Sequence, residues 1–399
     1  MEPGSSSHLN TPDVPVESVP YVESDEFAEQ VQGTIECTSD EDIPTLRWKA
    51  DELITRLEGD PYDNYVVSDF SVKLSRILRA MVEHAESCSG KPAIIYTCAT
   101  VVACSRKNGE VDRTIESLLQ LAKAWLTHFL FVVRGSLPHP LSTQTPSLGL
   151  ISAFEMIAAT PGVDGGAESC DHTLQLAEKI MRRDGFQCVV NGKRDPRHPD
   201  VLADPDNADF VSGNLEAVHI LRQVFGEVTK NPHSPPHKSI VSTVKILQNY
   251  CGLSNITAEN QSLEIDALNN GFILENNAHK AFSAFYWTLV PYEGKNKYKI
   301  EVLNRRRAHG LNLPGADIKS RIVEFKDYSG EGLEIPHPRY FRTHAAIASI
   351  LHASGAGIFL DGLLEKYGYD EDSYSVPSFE NLLRRIEIHK LREQLKALR

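Results

Sequence analysis

The sequence predicts an α+β protein: a mainly helical amino-terminal unit, then a mixed module with extra strands, then C-terminal helices. Three observations carry this. Apolar residues recur at helical spacing early in the chain, as at Leu46, Ala50, Leu53 and Leu57. Strand-like alternation comes later, with Tyr298, Ile300 and Val302 set against Lys299 and Glu301. Asn-Gly pairs at Asn108-Gly109 and Asn191-Gly192 mark turns between such segments. A chain of 399 residues, 41% of them hydrophobic, is long and apolar enough for two or three packed units.

The elements follow in order. Residues 1–43 are acidic, proline-bearing and poor in apolar side chains, and read as a disordered tail. A helical domain is expected over 44–160, with helices from Pro44, over 68–84 and over 111–133. Residues 93–104 suit a buried strand as well as a helix, because they are rich in β-branched side chains. Asp164-Gly165-Gly166 reads as a linker.

The mixed module is expected over 172–303. It opens with a short helix, 172–183. A strand over 186–190 follows, folded back at Asn191-Gly192. Residues 194–213 read as loop and 215–221 as a second strand. A helix over 239–251, a loop and strand over 265–274 and a helix over 275–286 come next. Strands over 286–290 and 298–303 pair around Glu293-Gly294. An extension over 304–370 packs on this module and holds a helix, 341–353, stopped at Gly355. Residues 378–399 form an amphipathic helix capped by Ser378. Its Ile388, Leu391, Leu395 and Leu398 make one and a half heptads, too short to claim a coiled coil from sequence.

Charge and cysteine usage exclude several classes. The net charge is −13, yet residues 1–45 hold eleven acidic side chains and no Lys or Arg, so the rest of the chain is near neutral. That argues against a broadly cationic nucleic-acid coat and leaves room for one local phosphate groove. Seven scattered cysteines with no CxxC pair argue against a disulfide framework or a cysteine zinc knuckle. An intracellular protein, cytoplasmic or nuclear, is expected. The acidic start does not read as a secretory signal, and the longest apolar stretches are short or interrupted by polar residues, so no membrane span is expected.

The chemistry points to residues 215–286. Phosphodiester hydrolysis needs a base for water, a cation for the phosphate charge and a group that holds the base in place. Imidazole suits the first task, a weakly caged divalent ion the second, and an asparagine amide the third. His219 falls on a strand in LEAVHI. Asn270 falls at a loop-to-strand turn in DALNNGFIL, and His279 on the helix that follows, in ENNAHKAF. With MRRDGFQCVVNGKRD before them and RTHAAIASILHASGAG after, these segments resemble the fungal HNH nuclease-domain proteins over residues 172–362.

The resemblance implies an HNH-like ββα-metal module and an endonuclease. His219 matches the general base, Asn270 the central asparagine and His279 the metal ligand. Gly271 matches the glycine that permits the tight turn into the second strand. The implied cofactor is a divalent metal, Mg²⁺ first, with Mn²⁺ or Zn²⁺ as alternatives. The implied partner is nucleic acid, DNA first. Arg182, Arg183, Arg305, Arg306 and Arg307 are the candidate phosphate contacts.

The chain departs from the family at three places. Val218 stands where many members carry an Asp or His ligand, Asn191 where Thr is usual, and Leu221-Arg222-Gln223 where a proline-aromatic pair is frequent. Glu216 is a substitute ligand, although strand alternation turns it away from His219. Two competing readings remain: an HNH fold that has lost catalysis and serves as a binding module, and a helical scaffold whose ends carry the function.

Overall fold

The computed structural model describes residues 20–105, 107–108, 111–135, 166–204, 213–221, 235–257, 266–308, 311, 322–368 and 378–397. Asp164 and Gly165 of the expected linker, residues 205–212 of the expected loop 194–213, and Leu398 lie outside these residues. The elements form the expected α+β arrangement of many helices and small antiparallel sheets.

Order begins earlier than the acidic composition suggests. A helix, α1, spans Asp25–Cys37, where a disordered tail was expected. Its cap is Ser24, whose side chain accepts from the Phe27 amide, and two acidic residues sit at its positive first turn. Phe27 and Val31, one turn apart, bury its apolar face. Two apolar residues in so acidic a stretch are a faint signal, and packing supplies the rest.

Helix α2 spans Ile43–Glu58. A hairpin of β1 (Asn64–Val67) and β2 (Phe70–Lys73) then precedes α3, Leu74–Ser89. The helix expected from residue 68 therefore starts six residues later. Ser68 has φ 54°, a turn conformation that no helix accepts. Residues Lys91–Val102 form α4, which settles the ambiguity there in favour of helix. A small hairpin of β3 (Lys107–Asn108) and β4 (Val111–Asp112) leads into α5, Thr114–Trp125. The long helix expected here is interrupted by one wide π-type turn, Leu126–Leu130, before α6, Phe131–Gly135.

The second half opens with α7, Gly166–Arg183, and a short α8, Pro199–Ala203. Strand β5, Leu215–His219, comes next, then α9, Pro235–Asn249. Strand β6, Gly271–Glu275, pairs antiparallel with β5 and runs directly into α10, Asn276–Ser283. Strands β7 (Trp287–Pro291), β8 (Lys297–Val302) and β9 (Ile322–Glu324) make a three-stranded sheet whose third strand was not expected. Helix α11, Pro338–Ser354, ends at Gly355 with φ 78°. Helices α12 (Ala356–Tyr367) and α13 (Phe379–Ala397) complete the order.

The predicted strand over 186–190 is reduced to one bridge, Gln187 with Arg194. The chain still folds back there. The Gly192 amide donates to the Cys188 carbonyl at 2.9 Å, and the Cys188 amide to the Lys193 carbonyl at 2.8 Å.

The buried side chains form one continuous core from Tyr21 to Ile386. Helix α11 explains why. It lies along α3 on one side and against β7 on the other, so it joins the helical unit to the mixed module. The extension was expected to pack on the module, and α11 also reaches α3 of the helical unit. Four phenylalanines sit at the centre of the module. Phe272 meets Phe282, Phe325 and Phe341 edge-on, with ring centroids 5.2, 5.8 and 5.6 Å away. Among the described residues no single helix is long and apolar enough to cross a membrane.

Phe272→Ala removes a fully buried ring and should cost about 3–5 kcal/mol. Because the core is shared, urea denaturation should show one cooperative transition at a lower midpoint for probes in both halves. Loss of the module alone, with the amino-terminal helices melting at the wild-type midpoint, would contradict a shared core.

Candidate active site

The site is built on the turn that enters β6, and a buried arginine holds that turn. Helix α7 ends at Arg182-Arg183, and Gly185 (φ 66°) and Phe186 (φ 54°) turn the chain away. Arg183 is fully buried. Its Nε and Nη2 donate to the two carboxylate oxygens of Asp184 at 2.7 and 3.1 Å. The remaining donors reach three backbone carbonyls: Leu268 at 2.8 Å, Glu334 at 3.0 Å and Gly271 at 2.7 Å. All five guanidinium N–H groups are thus used. Asp184 also accepts the Ile273 amide at 2.9 Å. Burial raises the Asp184 pKa, and the Arg183 charge and these hydrogen bonds oppose that. Arg183 was expected to grip phosphate. It has no exposed surface to do so, and it organises the turn instead.

Gly271 follows from the same packing. Its φ is −131°, so it does not need a left-handed conformation. A methyl group there would lie 2.5 Å from Ile180 Cδ1, on the helix that carries Arg183. The glycine lets strand and helix approach closely, and a tight turn does not demand it.

Asn270 is also fully buried. Its Oδ1 accepts the Leu221 amide at 3.0 Å and its Nδ2 donates to the Leu221 carbonyl at 2.8 Å. The Asn270 carbonyl accepts the Ile220 amide at 2.8 Å. The side chain therefore acts as one more peptide group in the β5–β6 ladder. It fixes the backbone immediately after His219.

His219 is the last residue of β5 and faces Gly271 across the ladder. Its Nε2 lies 3.3 Å from Asp266 Oδ1. The imidazole is 12% exposed and Asp266 30%. It borders a cleft whose walls are mostly apolar, among them Val133, Leu247, Leu253 and Ile347, with Phe282 and Ser283 of α10 beside it.

His279 lies on α10 and is buried. Helix α10 is capped by Glu275, whose carboxylate accepts the Asn277 amide at 3.2 Å and the Ala278 amide at 3.4 Å. His279 Nδ1 is in direct contact with Glu216 Oε2, and Glu216 Oε1 accepts from Asn276 Nδ2 at 3.0 Å. Glu216 and Val218 share one face of β5, and His219 belongs to the other. Two acid–imidazole pairs result, Glu216–His279 and Asp266–His219. The structure brings His279 to Glu216 and Asn270 to the His219 backbone. His219 and Ser283 both line the cleft, and Ser283 is one turn from His279 on α10. Val218 is buried in the apolar interior. Among the described residues no three His, Cys, Asp or Glu side chains converge as a metal cage.

Cys188 is buried, and burial raises its thiol pKa. Amides of Asn191, Glu275 and Val190 oppose the shift.

Two of the other candidate arginines are paired with carboxylates. Arg182 pairs with Glu331 at 2.7 Å. Arg307 donates to Glu365 at 2.7 Å and to Tyr286 Oη at 2.9 Å, which raises its pKa. It also lies 3.7 Å from Asp361, which contacts the buried Arg134. Local carboxylates therefore neutralise both Arg182 and Arg307. Arg305 and Arg306 remain exposed.

Residues 188–290 match the HNH endonuclease family. The match covers about a quarter of the chain, from Cys188 through the β5–β6 pair and α10 to β7. No curated protein and no solved structure matches. Sequence reasoning missed Asp266 and the role of Arg183. The available signals were an acidic residue four positions before Asn270 and the Arg-Asp-Gly run at the end of α7.

Arg183→Ala leaves Asp184 and three carbonyls without their donor in the interior. It should destabilise the protein by about 3–5 kcal/mol. Arg182→Ala, on the surface, should change stability by under about 1 kcal/mol. Thermal denaturation of the two variants checks the contrast, and equal losses would contradict it.

Proposed function

We propose that this chain is a metal-dependent endonuclease that hydrolyses phosphodiester bonds in nucleic acid, DNA first. The observation that carries the proposal is the His219–Asp266 pair, set at the end of β5 where Asn270 locks the following backbone. The imidazole, with Nε2 3.3 Å from Asp266, takes a proton from water. Asp266 orients the ring and stabilises the imidazolium as the proton arrives. Asn270 acts through the Leu221 backbone, so it positions His219 and does not touch substrate.

The residues that would hold a divalent ion are Glu216 and His279. Their donor atoms already meet, and one carboxylate with one imidazole suits an ion that keeps several waters. Glu216 thus takes the part that Val218 cannot. When bound, the ion would offset charge on the phosphate and the leaving oxygen. Mg²⁺ is the expected occupant, and Mn²⁺ or Zn²⁺ would accept the imidazole more readily. Arg305 and Arg306, being exposed, are the candidate phosphate contacts.

A second reading is favoured by the buried Val218 and by the lack of a three-ligand cluster among the described residues. In that reading the HNH-like module binds a partner without cutting.

Plasmid nicking with Mg²⁺ or Mn²⁺ separates the two. His219→Ala should abolish cutting while circular dichroism stays native. Asp266→Asn should slow cutting by about 10²-fold or more. His279→Ala and Glu216→Gln should each raise the metal concentration needed for half-maximal activity. Cutting that survives His219→Ala would end the proposal. A native wild-type chain that neither cuts nor binds Mg²⁺, Mn²⁺ or Zn²⁺ would select the second reading.

A further inference from the structure

Helix α13 carries two apolar rows, and only one is covered. Phe379, Leu382 and Ile386 are buried against the body, where Phe379 meets Phe131 edge-on with centroids 5.1 Å apart. Arg385 Nη1 donates to the Gly368 carbonyl at 3.2 Å, and His389 meets the Tyr367 ring at 5.4 Å. These contacts fasten the first half of the helix. Beyond them every described side chain is exposed up to Lys396. Ile388, Leu391 and Leu395 are 50%, 58% and 63% exposed.

This second row does not continue the first. Ile388 is two residues after Ile386, which puts it about 200° around the helix, nearly opposite the docked face. The 3-4 spacing of 388, 391 and 395 is that of a coiled-coil seam, and Leu398 extends it in sequence. Large apolar residues grouped on a projecting helix mark an interaction surface.

The flanking charges say what covers it. With Ile388 and Leu391 as the a and d positions, Glu387 is a g position and Arg392 the next e position. In a parallel pair of identical helices, g of one chain faces e of the other, so Glu387 meets Arg392 twice by symmetry. In an antiparallel pair the same residues would face their own kind. Both side chains are exposed, and among the described residues neither has an ion-pair partner in its own chain. We propose that the exposed row of α13 joins two copies of this chain as a short parallel coiled coil, with Glu387 facing Arg392 of the partner. The seam is short, so the dimer is expected to be weak and concentration-dependent.

Sedimentation equilibrium of the full chain tests this. Wild type should move from the 44.4 kDa monomer toward twice that mass as concentration rises. Leu391→Asp with Leu395→Asp should remain monomeric with unchanged circular dichroism. Glu387→Arg or Arg392→Glu alone should weaken dimerisation by about tenfold or more, through like charges at two symmetric contacts. The double exchange Glu387→Arg/Arg392→Glu should restore it to within about threefold of wild type. A monomeric wild type at the highest concentration overturns the proposal. So does a dimer insensitive to the Leu changes, or one that the double exchange fails to rescue.

Discussion

The placement of the site depends on one buried cation. Arg183 gives every N–H it has to Asp184 and to three carbonyls from the turn before β6 and the segment before α11. Taking a guanidinium out of water is costly, and an interior site repays that cost only when geometry and coordination are complete. Here they are. The strand start at Gly271 is pinned to α7, where a Cβ would press on the end of the Ile180 side chain. Asn270 is thereby set where its amide can extend the ladder and fix the residues after His219. The base candidate is positioned by packing two steps removed from it.

Strand alternation then divides the chemistry. Glu216 faces α10 and meets His279, and His219 turns the other way and meets Asp266. Each imidazole has a carboxylate partner, so each ring is held and neither charge is buried alone. The cost of this arrangement is visible at Val218. An apolar residue there strengthens the core between strand and helix, and it removes the position where an adjacent ligand would stand. Glu216, two residues earlier on the same face, is the carboxylate that meets His279.

Much of this was legible in the sequence, and the exceptions have physical reasons. The order of strand, turn, strand and helix around His219, Asn270 and His279 followed from turn signals and periodicity. Asn270 was legible because few groups other than an amide can replace a peptide unit on both sides. Arg183 was not, because its neighbour Arg182 has the same chemistry. Only the end of α7 decides that one side chain points inward and the other outward. Asp266 lies in a polar stretch where no local pattern separates a functional acid from a solvated one. Helix α1 was hidden because its stability comes from Phe27 and Val31 meeting a distant core, which an acidic, polar window does not reveal. The shared core was hidden for a similar reason: the sequence of α11 shows an apolar helix but not that both its sides are covered.

The proposed function places the ion at Glu216 and His279, on the face of β5 opposite His219. An anomalous difference map from crystals grown with Mn²⁺ tests it most directly. A peak at Glu216 and His279 is expected, with His219 still turned to Asp266. A map with no peak there, the Glu216–His279 contact intact and the ion bound elsewhere or not at all, would contradict it.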